Sequence, residues 1–69
     1  MTAAQFFGDT ACSSMLDAQV AAYVGTTAPG QSILLLSFDS FIRSSGLTGA
    51  EHDAVMNEFS ARVQTALGR

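Results

Sequence analysis

"ILLLSFDSFIRSSG", residues 33–46, decides the fold, because its apolar opening admits two readings. A continuous run such as Ile33-Leu34-Leu35-Leu36 suits a short buried strand or a turn of helix. A strand must find partners for its backbone groups, and no second segment of this chain offers a ladder. The residues that follow favour the helix. Leu34, Leu35, Phe38, Phe41 and Ile42 fall at i, i+1, i+4, i+7 and i+8, a single apolar stripe at helical spacing. Ser37, Asp39, Ser40, Arg43 and Ser44 fill the opposite side, and Asp39 precedes Arg43 by the four residues of a helical ion pair. Gly46 supplies the left-handed stop. Upstream, Thr27 is placed to cap and Pro29 to occupy the first turn. The spacing predicts a helix over 31–45.

Downstream the pattern is cleaner. Thr48 followed by Glu51 is a capping-box pair. His52, Val55, Met56, Phe59, Val63, Ala66 and Leu67 then recur at steps of three and four, with Glu58 and Arg62 as an exposed i,i+4 pair. A helix over 49–67 follows, ended by Gly68. Upstream, residues 3–24 form the third predicted helix, with two competing local signals. Thr2 and Gln5 can box its start, while Gly8-Asp9 can break it and begin a helix at Asp9. From Asp9 onward Ala11, Met15, Ala18 and Ala22 line one side and Cys12, Leu16, Val20 and Tyr23 the next. That arc is wider than the ~100° a helix needs against one neighbour. Short connections make adjacent helices roughly antiparallel. The expected fold is all-α: a helical hairpin plus an N-terminal helix, one domain over residues 1–69.

A 69-residue chain buries only ~60% of the surface its unfolded form exposes, so its margin of stability is thin. Disulfides, metals or partner subunits commonly reinforce such chains. Cys12 is the single cysteine, which removes an internal disulfide and fits a reducing compartment, the cytoplasm. Cys12 and His52 are two soft ligands where a structural zinc site usually takes four, and no cofactor fingerprint is present. With 48% apolar and 13% charged residues, the apolar excess points to a subunit interface, hence a homodimer. Three scattered arginines, no lysine and a net charge of −3 argue against nucleic acid as a partner. No stretch reaches the ~18 apolar residues of a membrane span, and the first residues lack the basic and apolar regions of a signal peptide.

Candidate chemistry is sparse. Asp39-Ser40-Phe41 resembles the phosphopantetheine attachment site of acyl and peptidyl carrier proteins, small acidic helical domains in which the serine begins a helix. That resemblance would make Ser40 the carrier of the arm. The chain departs from the pattern at Phe38, where the family has a small residue, and at "FIRSSG", where an acidic face should follow. Ser40 also falls inside the predicted helix, so it reads better as part of a solvated face. A Cys12–His52 dyad would need the two to meet and a third group to orient the ring. Cys12 lies on an apolar arc that suits an inert thiol, and His52 reads as a packed, partly exposed histidine. A helix-turn-helix reader would present Glu51, Asp53 and Glu58 to phosphates, which is repulsive.

The expectation is therefore a non-enzymatic module that binds another protein and modulates or inhibits it, with an accessory subunit of a larger complex as the alternative. Phe6 and Phe7, aromatics next to Gly8, are candidate anchors, as is Tyr23 with its amphipathic ring. Arg43 is the candidate charged contact, being the sole cation among the first 61 residues. Cys12, Leu16 and Val20, on the wide arc of the first helix, are the candidates for self-association.

Overall fold

The computed structural model describes residues 1–68 and is helical with no strand among them. Four helices replace the three expected: α1 (Ala3–Gly8), α2 (Thr10–Val24), α3 (Gly30–Ser44) and α4 (Ala50–Ala66). The apolar run at Ile33 is helix.

The first predicted helix is divided because both of its competing signals are obeyed. Thr2 and Gln5 close a reciprocal capping box, with Thr2 Oγ1 accepting from the Gln5 amide at 3.1 Å and the Thr2 amide donating to Gln5 Oε1 at 2.8 Å. After the six residues of α1, Asp9 turns extended (φ −86°, ψ 124°). Its own amide donates to the carbonyls of Gln5 and Phe6, while its carboxylate accepts from the Cys12 amide at 2.9 Å. One residue thus ends α1 and begins α2, satisfying orphan groups of both termini.

The α3–α4 connection is a Schellman stop. Gly46 takes φ +89°, its amide reaches the Arg43 carbonyl, and the Leu47 amide reaches the Ile42 carbonyl, both at 3.0 Å. The apolar contact that accompanies the motif is present in Leu47 and Ile42, both fully buried.

Two expected caps do not form. Pro29, not Thr27, occupies the N-cap of α3, without a side-chain cap bond; the Thr27 carbonyl accepts from Gln31 instead. At α4 the N-cap is Gly49 (φ 59°, ψ −130°) rather than a Thr48–Glu51 box. Glu51 has a better tertiary partner: its Oε1 accepts the Ala3 amide at 3.0 Å, the first orphan N–H of α1.

Helices α2 and α4 form the central pair, and α1 and α3 each pack on both without meeting one another. The core is one cluster drawn from every element: Ala3 and Phe6 of α1, Leu16 and Val20 of α2, Phe38 and Ile42 of α3, Leu47, and Val55, Phe59 and Val63 of α4. Phe59 is its aromatic centre, stacked obliquely on Phe38 (centroids 5.3 Å) and edge-on to Tyr23 (5.5 Å). Polar clips join the helices: Gln31 Nε2 donates to the Tyr23 carbonyl at 3.1 Å, and Arg62 reaches Asp17 of α2 at 2.6 Å while pairing with Glu58 at 2.7 Å.

Candidate protein-interaction surface

Helix α3 has more apolar length than its neighbours can cover. Phe38 and Ile42 enter the core, and Leu34 and Leu35 are half-buried. On the other side Ile33 remains 62% exposed, Leu36 70% and Phe41 42%. At 100° per residue, four consecutive apolar positions span most of the helix circumference, so one flank must face outward. Between these residues lie Ser37, Ser40 and Ser44, all exposed. The result is an outer face of three large apolar side chains separated by hydroxyls, with the exposed Arg43 seven residues beyond Leu36 in the same row. The two charged residues of α3, Asp39 and Arg43, pair with each other at 2.9 Å along one margin of that face.

The expected site residues distribute differently. Phe6 is fully buried, and Phe7, half-buried, packs edge-on against it at 5.9 Å. Tyr23 is half-buried against Phe59. Arg43 is exposed, with its guanidinium on Asp39. Leu16 and Val20 pack inside their own chain, and Cys12 is half-buried beside them. Of the wide apolar arc of α2, Cys12, Met15, Leu16, Val20 and Tyr23 are covered within the chain, where α1, α3 and α4 all contact the helix, and Ala11, Ala18 and Ala22 stay exposed. Ile33 and Leu36, absent from the expected site residues, are the most exposed large apolar side chains of α3. Their signal was present in the sequence: both fall outside the stripe of Leu34, Leu35, Phe38, Phe41 and Ile42.

Against α3 stands the polar cluster of the α4 first turn. His52 Nε2 contacts Asp39 Oδ1 of α3, and His52 Nδ1 lies 3.1 Å from Asp53 Oδ1. These hydrogen bonds, Asp39 first, raise the His52 pKa above its ordinary 6.5; reciprocally, His52 and then Arg43 lower that of Asp39. The structure does not bring Cys12 and His52 together. Both ring nitrogens face carboxylates, and Cys12 sits beside Asp9, with burial raising its thiol pKa. A thiol so placed stays protonated at neutral pH. Ser40 lies in the interior of α3 rather than at a helix start. Among the described residues no three His, Cys, Asp or Glu side chains are grouped to hold a metal ion, and no helix is long and apolar enough to cross a membrane.

An open groove of about 170 Å³ lies between Tyr23, Leu35, Phe59, Ser60, Val63 and Gln64. It is smaller than the ~300 Å³ at which small-molecule sites begin, and suits a single inserted side chain. No protein-family model matches this chain, and no curated protein or solved structure matches it.

Proposed function

We propose that the protein is a non-enzymatic interaction module that docks the outer face of α3 on another protein and thereby modulates or inhibits it. The observation that carries this reading is the exposure of Ile33 and Leu36, 62% and 70%, on a face whose one exposed cation, Arg43, is paired with Asp39. Two large aliphatic residues held in water by a rigid helix suit a helix-in-groove contact, in which side chains at helical spacing act as anchors. The serines between them allow close approach and hydrogen bonds at the rim.

A second reading, the homodimer, draws support from the neutrality of the face. Two copies that each carry a net charge of −3 approach most readily through surfaces that bear no net charge. An accessory subunit would use the same surface in a permanent assembly.

The test is an Ile33→Ser/Leu36→Ser variant beside the wild type, with Ala18→Ser on the exposed side of α2 as control. Light scattering measures the mass in solution, and tagged capture from the source lysate identifies bound proteins. A stoichiometric partner lost in the α3 variant and kept by the control supports the module. A dimeric wild type with a monomeric α3 variant supports the homodimer. A wild type and variant that are both monomeric and capture the same proteins would overturn both.

A further inference from the structure

We infer that His52 is an imidazolium clasp between α4 and α3, and that loss of its proton loosens the seating of α3. The ring is 12% exposed and lies between two carboxylates, Asp39 of α3 on Nε2 and Asp53 of its own helix on Nδ1. An ionised carboxylate only accepts hydrogen bonds, and a neutral imidazole has a single N–H to give. Both contacts are therefore satisfied together only when both ring nitrogens carry protons.

The local charge agrees. Asp39 and Asp53 contribute two negative charges and Arg43, on the second oxygen of Asp39, contributes one positive. An imidazolium brings the group to neutrality; a neutral ring leaves it at −1. Asp39, Arg43 and Asp53 are the charged groups acting on the ring. From α1 and α2 no charged side chain among the described residues acts on it: α1 carries none and Asp17 of α2 is paired with Arg62, while Glu51, beside His52 on α4, accepts from Ala3.

The mechanical consequence falls on α3. Among the described residues the His52–Asp39 contact is the one side-chain hydrogen bond or ion pair between α3 and α4. Deprotonation removes at least one of the two ring contacts. The survivor changes from a contact between two ions to one between a neutral donor and a carboxylate, so the Coulomb attraction between opposite charges is lost. Because the proton is held more tightly in the folded state, its contribution is fully present below the ordinary value of 6.5 and disappears as pH rises through the higher folded value.

Imidazole nitrogen NMR and urea denaturation from pH 5.5 to 9 test the clasp. Wild type is expected to show both ring nitrogens protonated at pH 6.5, with a titration midpoint above that of a free histidine. Asp39→Asn should bring the midpoint down, and the exposed Asp53→Asn should lower it without threatening the fold. The wild-type urea midpoint should decline across the histidine titration, while that of His52→Gln stays flat. Amide exchange corrected for intrinsic rate should show protection falling in α3 before α2. A wild-type midpoint at or below 6.5, or wild-type and His52→Gln stability curves that run parallel, would overturn the clasp.

Discussion

Helices α3 and α4 have nearly the same length, 15 and 17 residues, yet their sequences describe their environments in opposite ways. The α3 sequence has the stronger apolar stripe and the greater overall hydrophobicity, and it is the helix with large side chains left in water. The α4 sequence is on balance polar, and its packing is the more complete. Val55, Phe59 and Val63 enter the core, while Glu51, His52 and Arg62 reach α1, α3 and α2 respectively. A moderately amphipathic helix surrounded by three neighbours leaves no large apolar side chain exposed. A strongly apolar helix resting on two uses one side. Hydrophobic content measures what a helix is able to bury, and the number of its neighbours sets what it does bury.

That contrast can be broken at α4 with the largest effect. Phe59→Ala removes the ring shared by Phe38 and Tyr23 and should cost about 3–5 kcal/mol. A chain of this size rarely has more than ~3–5 kcal/mol in total, so circular dichroism at 25 °C should show a largely unfolded variant. On the inner side of α3, Ile42→Val, at a fully buried position, should cost about 0.5–1.5 kcal/mol by urea denaturation. Arg62→Ala tests the clip to α2. With the side chain 35% exposed and its partners more so, the loss should be within the ~0.2–1 kcal/mol of surface pairs, shrinking further in high salt. The smallest change belongs to the outer side of α3, where Leu36→Ser should alter stability by no more than about 0.5 kcal/mol. A large loss of stability there, in a monomer, would mean that the face is not free and that the contrast between the helices is mistaken.

What the sequence made legible was local. The helix over 31–45 and the one over 49–67 were set by periodicity, the stop at Gly46 by its tolerance of positive φ, and the Asp39–Arg43 and Glu58–Arg62 pairs by four-residue spacing. Each depends on neighbours along the chain, which a sequence displays directly. The errors lie where a side chain had to choose between a local and a distant partner. Glu51 left its capping box for the Ala3 amide, 48 residues away. His52 met Asp39, 13 residues away, because helix packing brought those turns together. The break at Asp9 was legible as one of two alternatives; nothing in the sequence said that both would hold. The candidate surface was half visible, since α3 had more apolar residues than one stripe can hold, but which of them stay in water depends on where α2 and α4 lie.

The double role of Asp9 sets how the N-terminal part of the molecule can vary. A joint with no spare residue between two helices transmits position: one residue inserted between Gly8 and Asp9 would add up to ~3.5 Å of chain and carry Phe6 out of the core it fills. Substitutions that preserve an acceptor at position 9 leave the geometry intact, whereas changes of length do not. The molecule can therefore tolerate variation in the composition of this corner, but its length there is fixed to the single residue.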